Sequence, residues 1–494
     1  MNRLRASGIL MPLFSLPSKY GIGTLGSAAY AFVDFLKSAG QSYWQLLPLV
    51  PTNYGDSPYQ SFCSYAGNPY FIDLDLLSEK GLLRESDYIN VDFGSDATRV
   101  DYEKLYNNRY GVLRIAFSHF SGGLEYERFC AENAHWLDDY ALFMALKDEN
   151  GGKSWREWDT PLKIREAKAI EGAKERLSRD ITFYKFLQFE FFEQWKSLKK
   201  YANKNGIKII GDIPIYVADD SVEVWSDPRQ FDLLSDLTPR AVAGCPPDAF
   251  SEDGQLWGSP LYNWEYMKNE DKPYSWWIRR MAHMFEVYDI VRIDHFRAFE
   301  AYYCIPYGDE NAKRGKWEKG PNMALFDAFK REFGETLPII AEDLGLLTPE
   351  VYELLENSGF PGMRVLQFAF DGRMENEYLP HNHIKNCVAY IGTHDNDTIM
   401  GWTQTASEKS VKQAEKYLNC KAGEGFNWAA IRAMMMSVAD TAIFMMSDFM
   451  GLPSDARINE PSTTGKNWQW RMLEGCTNDW LAGIIKDITK TYGR

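Results

Sequence analysis

Four short apolar runs in this chain each carry an acidic residue at or near their carboxyl end: KIIGDIPIYV with Asp212, DIVRIDHF with Asp294, LPIIAED with Glu342 and VAYIGTHDND with Asp395. A strand buried on both faces reads as a continuous Val/Ile-rich run, and in an α/β barrel the residue at its carboxyl end faces the catalytic mouth. Taken singly, each acid could be a structural group or a helix N-cap. Four of them in the same position predict convergence. Two carboxylates ~5–5.5 Å apart can share a retaining displacement, one as nucleophile and one as general acid and base. Arg292 singles out Asp294, because it lies two residues earlier on the same strand face, where its fixed charge favours the ionised carboxylate. Glu342 is followed by Asp343, and since successive strand residues point opposite ways, only one of the two should face the mouth.

Other candidate motifs are weaker. Gly21-Ile-Gly23-Thr-Leu-Gly26 matches G-x-G-x-x-G before a helix. A Pro and a Lys separate it from the apolar run, and Gln45 and Leu46 stand where a ribose-binding acid would be expected ~20 residues on. A tight loop turning into a helix is the better reading. His381-Asn382-His383 and His394-Asp395-Asn396-Asp397 have no Cys or H-E-x-x-H beside them, so loop residues or hydroxyl-binding groups are favoured over metal ligands. With no G-x-S-x-G elbow, serine hydrolase chemistry lacks a nucleophile.

The elements that would position these acids alternate along the chain. GILMPLFSLPS, the helix-like SAAYAFVDFLKSAG and the strand-like SYWQLLPLVP open the pattern. Strand and helix alternation resumes at 207 and continues through MRVLQFAFD to TAIFMMSDFMGL. Between about 75 and 205 long charged segments carry apolar residues at helical spacing, which predicts a mostly helical insertion. The expected fold class is therefore α/β: one (β/α)8 barrel over 1–494 with large, mostly helical insertions and no C-terminal β-sandwich.

Composition narrows the function. Acidic residues outnumber basic ones to a net charge of −15, which disfavours nucleic acid, anionic membrane surfaces and polyanionic substrates. Seven scattered cysteines without a C-x-x-C pair fit reduced thiols in the cytoplasm. The start, MNRLRASGILMPLFSLP, lacks a long apolar core and an A-x-A site, and no run reaches the ~18 apolar residues of a membrane helix. Aromatic residues make 15% of the chain, suiting either stacking on sugar C–H faces or a large aromatic core.

Nine stretches carry a family resemblance: SLPSKYGIGTLG, YWQLLPL, SPYQSFCSYAGNPYFIDL, GDIPIYV, AGCPPDAFSEDGQLWGSPLYNW, VRIDHFR, AEDLG, GTHDNDT and NWQWR. They resemble the amylomaltases, the 4-α-glucanotransferases of glycoside hydrolase family 77 in the α-amylase clan, over essentially the whole chain. The resemblance implies Asp294 as nucleophile, Glu342 as general acid/base and Asp395 as the residue that binds hydroxyls of the distorted sugar in subsite −1. It implies His394 and Arg292 as helpers beside them and Asp212 as a further binding residue. Phe250, Gln255 and Trp257 fall in a loop, about 244–264, that arches over the cleft in the family. Ser57, Tyr59, Asp248 and Phe368 match positions lining donor or acceptor subsites, and Asn459 matches a binding residue. In RINEPSTTGKNW, however, Ser462 and Glu460 depart from a pattern that has glycine after the proline. The implied ligands are α-1,4-glucans and malto-oligosaccharides, without cofactor or metal, in a monomer or a homodimer. Two alternatives share these residues: a hydrolase of the same clan, and a glucan-binding protein with an inactive site.

Overall fold

The computed structural model describes residues 5–53, 55–247, 251–345 and 347–494. Twelve strands form among them: β1 (Ala6–Leu10), β2 (Tyr43–Gln45), β3 (Lys208–Ile213), β4 (Ala241–Cys245), β5 (Gln255–Pro260), β6 (Ile290–Ile293), β7 (Ala301–Pro306), β8 (Lys316–Lys319), β9 (Ile339–Ala341), β10 (Gly362–Val365), β11 (Cys387–Tyr390) and β12 (Thr441–Met445). Eight of them pair in parallel in the order β10-β11-β12-β1-β2-β3-β6-β9. The two ends of this sheet meet where the Ala341 N–H donates to the Pro361 carbonyl at 3.0 Å, so the sheet curls into a barrel. The eight strands are the apolar runs, because a strand covered on both faces buries nearly every side chain, as in the all-buried β1, β9, β10 and β11. The expected barrel is the observed one, and after β12 the described chain forms no further strand.

Between β2 and β3 the chain is helical, ending in a 27-residue helix, Ser178–Lys204. Its Phe183, Phe186, Leu187, Phe191, Trp195 and Leu198 recur at helical spacing and are buried. Trp195 anchors it to the barrel by donating Nε1–H to the Val287 carbonyl at 3.0 Å.

The remaining strands form a second, antiparallel sheet in the order β5-β4-β7-β8. Its strands come from two separate connections, β3 to β6 and β6 to β9, so the segments that follow neighbouring barrel strands fold together. The stretch expected as a loop at about 244–264 is thus in part a hairpin, with Cys245 paired to Gln255. Asp248 and Phe250 lie outside the described residues.

Gly21, Gly23 and Gly26 sit where the chain packs closely. A Cβ on Gly23 would lie 1.9 Å from the Leu13 carbonyl, and one on Gly26 would lie 2.0 Å from Asp73 Oδ2. Gly26 then caps helix Ser27–Ser38. Close packing accounts for all three glycines.

Candidate active site

Strands β6 and β9 are neighbours in register, with Ile293 opposite Ala341. Asp294 and Glu342 each follow that pair, so their backbones stand about one interstrand spacing, ~4.8 Å, apart at the carboxyl end of the barrel. The pairing continues there, since the Glu342 N–H donates to the Ile293 carbonyl at 3.1 Å and the Phe296 N–H to the Glu342 carbonyl at 3.0 Å.

Arg292 binds two acids. Its Nη1 donates to both oxygens of Asp212 at 2.7 and 2.6 Å, and its Nη2 meets Asp294 Oδ1 at 3.0 Å. Asp212, expected as a sugar-binding residue, is fully buried, so it holds Arg292 and the Tyr59 hydroxyl, which donates to it at 2.9 Å. Burial raises the Asp294 carboxyl to about 6 against the pull of Arg292, with Asp212 and Asp395 adding to the rise. Asp294 nevertheless has a cation in contact and a side chain 31% exposed.

Among the described residues Glu342 has no such cation in contact. Its Oε2 accepts the His295 N–H at 2.7 Å and its Oε1 the Leu344 N–H at 2.9 Å. Burial pushes it up to about 8, and the Asp294 carboxylate beside it adds to the rise. Within the coupled pair the guanidinium beside Asp294 favours the negative charge there and the proton on Glu342. His295 adopts a left-handed backbone (φ 56°), and burial pushes its imidazole down to about 3, leaving it uncharged. Its ring stands edge-on to Trp257, with centroids 4.8 Å apart.

Asp395 enters after β11. Its Oδ1 accepts Asn459 Nδ2–H at 2.6 Å and lies 3.5 Å from His394 Nε2, while its side chain is 43% exposed to the cleft. Asn459 is fixed in turn by donating its N–H to the His394 carbonyl at 3.0 Å. The absence of the family's glycine leaves a mark: Ser462 sits at φ 65°, a left-handed conformation that suits glycine. Asn459 reaches Asp395 all the same.

Tyr59 stacks on His394 with centroids 5.1 Å apart and planes 16° from parallel. Ser57 accepts the Tyr59 N–H at 3.2 Å, so it shapes the turn that presents the ring. Gln255 accepts Trp257 Nε1–H at 3.0 Å. Phe368 is partly exposed after β10, its ring against Tyr378. The structure thus brings Asp294, Glu342, Asp395, Arg292, Asp212, His394, Tyr59 and Asn459 into one connected network, with Trp257 touching it through His295. The histidines of H-N-H lie elsewhere: His381 bonds the Tyr417 hydroxyl, and His383 bonds Ser437 and Tyr378.

Two contributors escaped the sequence reading. Arg457 donates to the Asp395 and Asn459 carbonyls at 3.0 and 2.8 Å. Trp468 packs against both Tyr59 and His394. The signal for Trp468 was present in the NWQWR stretch, whereas nothing local marks Arg457.

A (β/α)8 barrel with carboxylates gathered at the carboxyl ends of its strands defines a class, the barrel enzymes that work by paired acids. A family model described as 4-alpha-glucanotransferase matches residues 11–477. The chain is 51% identical over 488 residues to a 4-alpha-glucanotransferase of Clostridium butyricum, covering 98% of this chain and 100% of that one. It is 48% identical to one of Thermus thermophilus, covering 96% of each. Its fold superposes on an amylomaltase from Streptococcus agalactiae solved in complex with acarbose, with TM-score 0.96, 43% identity and 99% of both chains covered. The chain belongs to the 4-α-glucanotransferase family, glycoside hydrolase family 77, and its activity is that of the family.

Proposed function

We propose that the chain transfers a segment of an α-1,4-glucan to the 4-hydroxyl of an acceptor glucan or glucose by a retaining double displacement. The observation that carries this reading is the pair of acids that follow the register-matched residues Ile293 and Ala341, one beside a guanidinium and the other, among the described residues, without a cation in contact. Neighbouring strand ends favour the short carboxyl separation of a retaining enzyme over the ~6.5–9.5 Å of an inverting one.

Glu342, protonated, gives its proton to the glycosidic oxygen as Asp294 attacks the anomeric carbon. The reducing-end fragment leaves, and the remaining glycosyl unit is bonded to Asp294. Glu342, now ionised, takes the proton of an incoming 4-hydroxyl, whose oxygen displaces Asp294 and restores the starting enzyme. Asp395, held by Asn459 and partly exposed, binds hydroxyls of the sugar at the reacting centre. Tyr59 and Trp257 provide ring surface in the cleft, buried His394 backs the Tyr59 ring beside Asp395, and Ser57, Gln255 and Phe368 line further sugar positions. A positioned acceptor competes with water through proximity, which makes transfer win over hydrolysis.

The ligand class is α-1,4-glucans and malto-oligosaccharides, a reading supported by the acarbose complex of the S. agalactiae relative. The whole chain acts as one catalytic domain, with the helical segment at about 75–205 as an insertion. Seven scattered cysteines, of which Cys63, Cys304 and Cys387 are buried thiols, favour a cytoplasmic setting.

Incubation with maltotriose tests the reaction. Free glucose and longer maltodextrins should appear while total reducing ends stay constant; reducing ends that climb with glucose would mean hydrolysis. Glu342→Gln should abolish turnover with glucan affinity nearly intact, and undiminished activity in that variant would remove Glu342 from the mechanism.

A further inference from the structure

Glu342 has a neighbour that the reaction does not touch. Asp343 is 1% exposed and, by strand alternation, points away from the mouth. Its Oδ1 accepts the Met363 N–H at 2.5 Å and its Oδ2 the Arg364 Nη1–H at 2.9 Å. It thus sits at the β9–β10 seam, where a side-chain carboxylate takes a β10 N–H that would otherwise look to a neighbouring strand. Gly362 makes the room, since a Cβ there would lie 2.4 Å from Asp343 Oδ2. Arg364 carries the connection outward to Glu377 at 2.8 Å.

Met363 points the other way, into the barrel, fully buried, and its Sδ accepts Arg292 Nε–H at 3.4 Å. In barrel order β6 and β10 are alternate strands, which supply side chains to one interior layer. A continuous set of contacts therefore runs from Asp343 through Met363 to Arg292, and from Arg292 to Asp294 and Asp212.

We propose that Asp343 is a positioning residue for the transfer reaction: by pinning the β9–β10 seam it fixes the backbone that presents Glu342 and the Met363 thioether that holds Arg292 against Asp294 and Asp212. The inference rests on the reading of Asp294 and Glu342 given above. A mere staple of the barrel would set stability and leave the chemistry of folded enzyme unchanged, and this difference is measurable.

Two variants approach the seam from different sides. Asp343→Asn keeps the size and an acceptor for the Met363 N–H but loses the charge that holds Arg364. Gly362→Ala changes no charge and pushes the carboxylate off its seat. For folded enzyme well below its melting temperature, kcat on maltotriose should fall on the order of 10–100-fold in both, the range that small misplacement of reacting groups produces. KM should stay close to wild type.

The acidic limb of the pH profile should move to higher pH in both, as Arg292 loosens from Asp294. Asp294 is faced by Arg292 on its own strand, Asp212 on β3, Glu342 after β9, His394 and Asp395 after β11, and Tyr59 after β2. Loss of the Asp343 charge alone would move the limb the opposite way, because removing a nearby negative charge lowers a carboxyl pKa.

Unchanged kcat and an unmoved limb in either folded variant would overturn the proposal. If Asp343→Asn does not fold, Gly362→Ala and the volume-conserving Met363→Leu, which removes only the sulfur acceptor, carry the same two readouts. Activity retained in Asp294→Asn would instead overturn the underlying reading, and it is scored separately.

Discussion

Removing the guanidinium that joins two acids should displace the pH profile by an amount the structure sets. In Arg292→Ala, Asp294 loses a cation at 3.0 Å and Asp212 loses one at 2.6 Å. Unit charges about 4 Å apart in an effective dielectric of ~20 interact by about 4 kcal/mol, or roughly three pKa units at 1.36 kcal/mol each. Asp294 is 31% exposed and shares the arginine with Asp212, so solvent and competition cut that ceiling to roughly one to two units. The acidic limb of kcat/KM should therefore move up by about one to two pH units, whatever the height of the profile. Stability follows the same sign. With its folded pKa raised further above the unfolded ~3.9, Asp294 costs the variant stability as pH rises through that window. Buried Asp212 left without its counter-ion makes the loss about 3–5 kcal/mol at neutral pH. Disproportionation of maltotriose between about pH 4 and pH 9, with thermal melts at the same values, reads both effects. A limb that stays in place in active enzyme would refute the coupling of Arg292 to the nucleophile.

The wild-type profile itself should be a bell, rising through about 6 and falling through about 8, the values belonging to the Asp294–Glu342 pair as a unit; a flat profile across that range would contradict the assignment of acid and nucleophile. Asn459→Ala removes a 2.6 Å bond to the partly exposed Asp395 carboxylate and should lower kcat about tenfold, near the low end for hydrogen bonds to charged groups; wild-type kinetics would show that Asp395 needs no such support. Ser462→Gly should raise stability by up to about 1 kcal/mol by relieving the left-handed backbone at φ 65°, read as a higher denaturation midpoint, and a lower midpoint would mean that the strain is not there.

Strand identity was legible because burial on both faces writes itself locally as a continuous apolar run, so the four acid-ended strands could be read from residues alone, while the order in which the strands join came from the family resemblance. The Arg292–Asp294 relation was legible too, since a spacing of two places side chains on one face of a strand. The antiparallel sheet was not, because a strand such as KWEK is mostly exposed and carries no apolar run, and the sheet takes its order from partners in another connection. Likewise, Asp212 is a terminal acid like the others in sequence, and only the fold shows it fully buried beneath Arg292 and Tyr59. Arg457 and Met363 meet the site from 62 and 71 residues away from their partners Asp395 and Arg292. Periodicity and burial act along the chain and are therefore written in it, whereas register, closure of the β9–β10 seam and the charge balance between Asp294 and Glu342 arise from contacts between distant segments and exist only once the barrel has closed.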